Sequence, residues 1–432
     1  MDNNTKNIEV TKLNTAFGQS EAKPALVPSF IERAALPVSY VIAYLYTFIF
    51  TIQNNNSKLY LVAFVFCFSL GTELVFHKRK ATWESIVWLG CLWISLIGFL
   101  IGRNQVWGNA AIGFLHLYAV YWLLVRSGQL MEGESGAFVP VDLFNGLIIF
   151  PFRRFFLRLR ILWSLVNDKM KNKGSTAVKI GIFIVFVISV ALFYLASTLL
   201  SAADPFFDHL FGNFIRLFQI KNFGEILLRF LISLPVGAYL YGLVLGIQRE
   251  EPAQLQEQST FILKILKTFR KVPVKIWLAF LAAFSLLYLS FFLIQGSYLF
   301  GAFTHRLPEN FTVAQYARQG FFEICGILAL NFTLLFVVVL SSDTDIRKQK
   351  ALRLMSTILL SESILFSITA LSKLFLYISN FGLTPLRLQS TWLVFVLFVG
   401  CLAAIYSLWT GKKSVKLWLL YSGLTLALLH LY

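Results

Sequence analysis

The chain has 432 residues, 57% of them hydrophobic and only 14% charged, and its formal net charge at pH 7 is +17. This composition excludes a soluble globular protein, because the surface of such a protein needs far more polar side chains. The basic residues lie in short segments between long apolar runs, without a recognition motif. This distribution argues against nucleic acid as a partner and for membrane lipids. We therefore predict an all-α, polytopic integral membrane protein.

Membrane spans are predicted from apolar runs of roughly 17–25 residues, which can cross a hydrocarbon core about 30 Å thick. The chain contains about eleven such runs, or ten to twelve with the weaker ones counted differently. In chain order they are 35–52, 59–76, 83–102, 107–125, 180–202, 226–247, 276–300, 318–340, 354–379, 391–410 and 417–432. The last run is short and ends at the chain terminus.

The predicted organisation has four parts. They are a polar cytoplasmic tail (1–34), a four-helix N-terminal membrane part (35–125), a cytoplasmic interfacial segment (126–179) and a C-terminal membrane part (180–432). With the N-terminus inside, the tail and the connections on the same side hold 29 of the 38 Lys and Arg residues. Because basic loops stay in the cytoplasm, this asymmetry predicts a cytoplasmic N-terminus and, for an odd number of spans, an outer C-terminus.

The interfacial segment contains PFRRFFLRLRILWSLV, which starts at Pro151, a residue type favoured in the first turn of a helix. Arginines are interspersed there with Phe, Leu, Ile and Trp, which predicts an amphipathic helix in the inner headgroup plane. The arginines expected to contact lipid headgroups are Arg153, Arg154, Arg158 and Arg160. Two interpretations stay open: an ordinary helix that fixes topology, or a dedicated site for headgroups or a partner protein.

Two glutamates near the cytoplasmic ends of spans are interpreted as structural. Glu73 can extend towards the basic cluster at 77–80, and Glu84 can complement a helix N-terminus. A GESG string at 133–136 resembles part of a serine-hydrolase motif. It lies in a polar loop with no histidine nearby in the sequence, so we interpret it as chance.

Signatures of membrane enzymes are absent from the sequence. It contains no HExxH, no GxSxG, no P-loop and no acidic cluster with metal-binding spacing. The four cysteines lie far apart within apolar runs, which predicts buried hydrophobic side chains rather than disulfides or metal ligands. We therefore predict no catalytic residue, no metal and no cofactor, and the pattern favours a protein that is not an enzyme.

Ionisable residues inside predicted spans are the most informative feature, because a charge at mid-bilayer costs about 2.5–3.5 kcal/mol on insertion scales. Glu362 lies well inside the span 354–379, and Lys373 follows eleven residues later on nearly the same face. The two are about 16 Å apart by helical rise and cannot pair directly. Glu323 and Asn331 of the preceding span can supply their partners. This pattern fits either a polar interior pathway or a static hydrogen-bond network between helices.

The predicted outer half keeps several basic residues, against the usual bias. They are Arg216, Lys221, Arg229, Arg306, Arg318, Lys373 and Arg387. Asp204 followed by Pro205 has the form of a helix start, which predicts a short outer-surface helix over 205–219. Converging arginines suit an anionic group such as a lipid phosphate or a polymer phosphate. The alternative is salt bridging with Asp204, Asp208, Glu309 and Glu323.

The outer segments also carry a family resemblance. The features are ADPFF at 203–207, Pro308 to Asn310, YARQGFFE at 316–323, Asn331 and YISNFGLTPLR at 377–387. In these features the chain resembles an uncharacterised bacterial membrane family, domain of unknown function 4173, with the related 4153 group. The resemblance covers roughly 180–410. It implies a multi-pass protein of the bacterial cytoplasmic (inner) membrane but no established activity, and its typical positions are Tyr316, Arg318, Gly320, Glu323, Tyr377, Gly382 and Arg387.

These features favour a transporter or flippase-like permease for an anionic or amphiphilic substrate, such as an anionic lipid or polymer. Its predicted substrate-binding residues are Tyr316, Arg318, Glu323, Asn331, Glu362, Lys373, Tyr377 and Arg387. An alternative is a non-catalytic sensor or scaffold that docks a membrane or signalling protein through the basic inner surface. A third hypothesis is an intramembrane enzyme acting on lipid-linked substrates, which lacks a clear nucleophile.

Overall fold

A computed structural model describes most of the chain. The described residues are 27–51, 56–101, 108–172, 223–250, 252–299 and 313–431, with scattered positions between 181 and 200. Within these residues the chain is helical throughout and contains no strand, apart from one isolated bridge between Val272 and Ser342. The predicted all-α class is thereby confirmed.

The helices are numbered in chain order. In the N-terminal half they are α1 (Phe30–Thr51), α2 (Asn56–Val75), α3 (Trp83–Ile101), α4 (Gly108–Ser127), α5 (Val139–Phe144), the π-helical turn π1 (Asn145–Ile149), α6 (Phe150–Arg153) and α7 (Leu157–Asn172). In the C-terminal half they are α8 (Phe223–Gln248), α9 (Pro252–Phe269), α10 (Val274–Leu299), α11 (Val313–Ser341), α12 (Lys350–Phe381), α13 (Pro385–Thr410) and α14 (Val415–Leu429).

Eight helices of the described chain are long and apolar enough to cross a membrane, namely α2, α3, α4, α8, α10, α11, α12 and α13. The chain is therefore a multi-pass membrane protein. Helix α1 lies where the first span was predicted, and α14 is a shorter apolar helix of 15 residues. The predicted span 180–202 is described only in scattered positions, and the predicted outer helix 205–219 lies outside the described residues.

Local signals set several helix ends. Helix α1 begins inside the predicted tail because Ser29 and Glu32 form a reciprocal capping box: the Ser29 N–H donates to Glu32 Oε2 (2.7 Å) and the Glu32 N–H donates to Ser29 Oγ (3.2 Å). Helix α12 ends at Gly382, whose φ of 75° is open to glycine at little cost. Pro385 then starts α13 in the position where its missing N–H does no harm.

The chain divides into two compact units, each built from two chain segments. One unit comprises Met1–Phe64 and Pro151–Gly246, and the other comprises Val65–Phe150 and Ile247–Tyr432. In the second unit, α12 packs against α10, α11 and α13. Phe366 of α12 is fully buried there, with its ring centroid 4.5 Å from that of Phe292.

The short connections of the second unit contact one another and form one layer, which we call the basic layer. Its described residues are 76–82, 127–138, 249–250 with 252–273, 342–349 and 411–414. The contacts that join them are Arg79 to the Ser127 carbonyl, Gln129 Nε2 to the Glu250 carbonyl (3.3 Å), Lys413 to Glu132 (3.2 Å), the Val272–Ser342 bridge, and Arg347 to the Gly411 carbonyl (3.3 Å). All five connections therefore lie at the same end of the helices in this unit.

The GESG string is an ordered part of the basic layer. Both the backbone N–H and the hydroxyl of Ser135 donate to Glu84, whose side chain is 5% exposed. Lys416 pairs with the same carboxylate at 2.9 Å. Glu84 therefore binds a loop and the start of α14, in addition to lying in the first turn of α3. Glu73 pairs with Arg126 at 2.8 Å, which corrects its expected extension towards the cluster at 77–80.

Candidate functional site

The membrane-buried part of the second unit contains a group of polar side chains on three adjacent helices. We call it the Glu362 cluster, and it consists of Ser285 and Tyr288 of α10, Asn331 of α11, and Glu362 and Ser363 of α12. Each of these residues is at most 9% exposed. Apolar residues of the same helices surround the cluster, so its polar atoms must find partners within it.

Three hydrogen bonds in sequence fix the orientation of Asn331. The Tyr288 hydroxyl donates to Asn331 Oδ1 at 2.6 Å, and Asn331 Nδ2 donates to Ser363 Oγ at 2.9 Å. Ser363 in turn donates to the Leu359 carbonyl of its own helix at 2.8 Å. This chain of donors ties α10, α11 and α12 together at one level of the membrane.

Glu362 is the member of the cluster whose carboxyl group takes no part in this series of hydrogen bonds. Its Oε2 atom is buried and has no hydrogen-bond partner among the described residues, although the Ser285 hydroxyl lies close enough to the carboxyl group to interact with it. A buried carboxylate without partners is disfavoured in hydrocarbon, whereas a neutral carboxylic acid is tolerated. The position therefore suits a group that takes up and releases a proton.

Lys373 forms a second charged group, further along α12. Its side chain is 1% exposed, and its ammonium group interacts electrostatically with Glu323 of α11. Phe366, which is completely buried, lies between Glu362 and Lys373 along the helix and packs against Tyr288 with ring centroids 5.2 Å apart. The Phe366 ring therefore lies between the two charged groups along α12.

Arg387 forms hydrogen bonds with the C-terminal end of α12. Its guanidinium donates to the Phe381 carbonyl at 2.8 Å and to the Gly382 carbonyl, and its Cζ lies 4.1 Å from the centre of the Tyr377 ring. These contacts satisfy carbonyls that the helix leaves without intrahelical partners. The predicted binding residues Arg387 and Tyr377 thus contact each other and stabilise a helix end.

Other residues of the predicted outer site fall outside the description. Tyr316 and Arg318 lie on α11, but only their backbone is described. Arg216, Lys221, Arg306, Asp204, Asp208 and Glu309 are outside the described residues. Arg229 is described, is 4% exposed on its side chain and pairs with Glu225 one turn before it.

The four inner arginines divide into two groups in the first unit. Arg153 and Arg160 are exposed and Arg154 is half-buried, as a headgroup contact requires. Arg158 is 2% exposed, so its expected contact with headgroups is corrected. Its guanidinium stacks on the Tyr40 ring, and a Cβ atom added at Gly237 would collide with it. Burial lowers the pKa of Arg158 from its usual range.

Sequence reasoning identified Glu362 and Asn331 but missed the residues that complete the cluster. Ser285 and Tyr288 lie three positions apart on α10, which places them on one face, and this spacing was the available signal. Among the described residues no group of three or more His, Cys, Asp or Glu side chains could hold a metal ion.

The helices and the buried cluster define an all-α, multi-pass membrane protein with polar side chains inside its bundle. The chain belongs to the family described as domain of unknown function (DUF4153), whose sequence profile matches residues 38–432. This is the group named above as related to DUF4173; a match to DUF4173 itself is not shown. No curated protein and no solved structure matches the chain.

Proposed function

We propose that the chain is a permease that moves an anionic or amphiphilic substrate across the membrane, with Glu362 as its proton-exchanging group. The observation that carries the proposal is the buried Glu362 Oε2 atom, which has no hydrogen-bond partner in the part of the chain that the structure describes, while most other members of the cluster do. Ionisable residues retained inside a membrane usually serve substrate pathways or proton relays.

In this proposal Phe366 is the barrier of the pathway. It separates Glu362, nearer the basic layer, from the Lys373–Glu323 pair, nearer the opposite end of α12. A protonated Glu362 lowers the barrier to rearrangement of the three helices, because a neutral acid costs less to move through hydrocarbon than a carboxylate. Lys373 supplies the positive charge that an anionic substrate meets on the other side of the ring.

We further propose that the protein lies in the bacterial inner membrane with its N-terminus in the cytoplasm. The support is electrostatic: four of the five connections of the basic layer together carry 12 of the chain's 38 Lys and Arg residues, and such loops stay on the cytoplasmic side. The exposed Arg153 and Arg160 of the amphipathic segment suit contact with anionic lipid headgroups.

The test is flux in vesicles of phosphatidylethanolamine and phosphatidylglycerol that contain the purified full chain. The probe is fluorescent (NBD-labelled) phosphatidylglycerol, whose translocation is followed by dithionite quenching under an imposed pH gradient. Glu362→Gln keeps the shape of the side chain but cannot exchange a proton. We expect it to lower the protein-dependent rate about tenfold, equivalent to about 1.4 kcal/mol of barrier.

The matched control is Glu257→Gln, which makes the same chemical change at an exposed position of α9. This variant should translocate the probe at the wild-type rate, and collapse of the pH gradient with an ionophore should slow the wild type to the Glu362→Gln rate. If folded Glu362→Gln protein translocates the probe as fast as the wild type, the proposal fails. The polar cluster is then a static network, as a scaffold protein would have.

A further inference from the structure

The second unit contains a cavity that the Glu362 cluster does not use. Its volume is ≈ 490 Å³, which is within the range of roughly 300–1,000 Å³ typical of small-molecule sites. It lies among α11, α12, α13 and α14 and opens beside the basic layer, where Arg270, Asp345 and Arg347 line it. The predicted substrate-binding residues whose side chains the structure describes do not line this cavity.

The depth of the cavity matches one leaflet of a bilayer. Its apolar wall includes Phe332 of α11, Leu360 of α12 and Gly400 of α13, each nine or ten residues from the end of its helix at the basic layer. At the rise of an α-helix these positions are about 15 Å from that end. This is half of a hydrocarbon core about 30 Å thick, the depth that one acyl chain occupies.

Small residues and one polar atom shape the interior. Gly400 and Ala404 are one turn apart on α13 and leave space beside Trp418, whose indole N–H is already bonded to the Val396 carbonyl at 2.9 Å. Ser356 of α12 also lines the cavity. It is completely buried, and its hydroxyl has no hydrogen-bond partner among the described residues. An unsatisfied hydroxyl in an otherwise apolar wall suits a polar atom of a ligand, such as an ester oxygen.

The mouth of the cavity carries a net positive charge. Arg347 is held there by the Ser407 hydroxyl at 2.9 Å and by the Gly411 carbonyl, and these contacts leave further N–H donors of its guanidinium available. Arg270 is exposed on the connection that follows α9. Asp345 offsets one of the two charges, and its Oδ1 accepts the Arg347 backbone N–H at 2.9 Å. Two guanidiniums at a membrane surface favour a phosphate group.

We propose that this cavity binds an anionic phospholipid of the cytoplasmic leaflet, with one acyl chain inside and the phosphate between Arg270 and Arg347. The lipid comes from the surrounding bilayer, because the apolar depth equals one leaflet and the charged mouth lies at its headgroup level. The binding site does not depend on transport: it would exist in a permease or in a scaffold.

The test is the affinity of the purified full chain for palmitoyl-oleoyl phosphatidylglycerol, titrated in detergent and measured by native mass spectrometry. The same titration with phosphatidylcholine gives the contribution of the net negative charge. We expect phosphatidylglycerol to bind about tenfold more tightly than phosphatidylcholine, and Arg270→Gln to remove most of that preference. Ala404→Phe, which fills the cavity, should weaken the binding of both lipids by at least about tenfold.

Each variant has a matched control. Lys271→Gln removes a positive charge from the neighbouring exposed residue, and Ala329→Phe adds the same ring at an exposed position of α11. Both controls should bind phosphatidylglycerol like the wild type. If Arg270→Gln and Lys271→Gln lose affinity for phosphatidylglycerol equally, the effect is one of diffuse charge and the proposal is overturned. Unchanged affinity of folded Ala404→Phe for both lipids would also overturn it. If Ala404→Phe does not fold, the comparison of Arg270→Gln with Lys271→Gln decides alone.

Discussion

Buried ionisable side chains in this protein differ in what satisfies them. Glu84 accepts hydrogen bonds from Ser135 and pairs with Lys416, so its charge is compensated and its role is structural. Glu362 Oε2 has no such partner among the described residues. From the sequence, Glu84 and Glu362 are both carboxylates of membrane helices. Only their contacts show that Glu84 stabilises the basic layer and that Glu362 suits proton exchange.

Asp142 provides a pH test at the scale of one residue. It lies on α5, outside the membrane spans, and burial raises its pKa to about 6, with the charge of Glu132 adding to the rise and the Met131 N–H bond opposing it. The folded state therefore holds the proton more tightly than the unfolded state. The free energy of unfolding should therefore fall as pH rises from about 4 to about 6, by at most about 1.4 kcal/mol per pH unit. Above about pH 6 the contribution of Asp142 should stay constant.

Asp142→Asn removes this titration while keeping an oxygen for the Met131 N–H. The melting temperature of the variant relative to the wild type should therefore rise between pH 4 and pH 6 and remain constant at higher pH. A difference for Asp142→Asn that does not change with pH would show that the residue is ionised throughout this range.

At the residue scale, the sequence predicted several polar groups inside the bundle and some of their partners. Glu362 and Asn331 were found because a charge or an amide in an apolar run is costly wherever the helices pack. Glu323 was expected to supply a partner, and it interacts with Lys373, whereas the packing of Phe366 against Tyr288 depends on the rotation of neighbouring helices. Periodicity within one helix contains no information about that rotation.

At the scale of elements, the positions of the helices were predictable but their ends were less so. Ten of the eleven predicted spans correspond to described helices, including α1 and the short α14. The ends differ by up to six residues, since α13 begins at Pro385 rather than 391. Hydropathy marks where the hydrocarbon begins, whereas capping residues such as Ser29 and Pro385 mark where the helix begins.

Packing between α3 and the end of α14 gives a prediction for one helix contact. A Cβ atom added at Gly98 would lie 2.5 Å from the carbonyl carbon and oxygen of His430 and 2.8 Å from the Leu431 backbone nitrogen, and backbone atoms cannot move aside like a flexible side chain. Gly98→Ala should therefore destabilise the protein by about 1–3 kcal/mol, the usual range for overpacking. The measurement is thermal unfolding of the purified protein in detergent.

The same helix offers the control. Gly90 lies eight residues earlier on α3, and a Cβ atom there would meet no atom within 4 Å. Gly90→Ala should leave the melting temperature unchanged or raise it slightly, because alanine favours the helix over glycine by about 0.5–1 kcal/mol. Similar melting temperatures for the Gly98 and Gly90 variants would contradict the close contact between α3 and the C-terminal residues.

At the scale of the whole molecule, the predicted four-part division along the chain and the compact units describe different things. Each unit combines two distant segments, 1–64 with 151–246 and 65–150 with 247–432. A division by sequence cannot show such an exchange, because hydropathy does not state which helices pack together. The charge distribution did contain three-dimensional information: connections placed on one side by counting Lys and Arg contact one another in the basic layer.

The basic layer and the orientation can be tested together by labelling introduced cysteines. Helix α12 has 32 residues and is about 48 Å long, so both of its ends extend beyond a hydrocarbon core about 30 Å thick. Lys348→Cys precedes the helix, Leu383→Cys follows it, and Lys80→Cys lies in another connection of the layer; all three positions are exposed.

A membrane-impermeant maleimide is applied to intact cells and to inverted vesicles, with the unsubstituted protein as background. Lys80→Cys and Lys348→Cys should react only in inverted vesicles, and Leu383→Cys only in intact cells. Labelling of the two lysine variants from opposite sides would contradict the layer itself, whereas labelling of both only in intact cells would keep the layer and reverse the orientation.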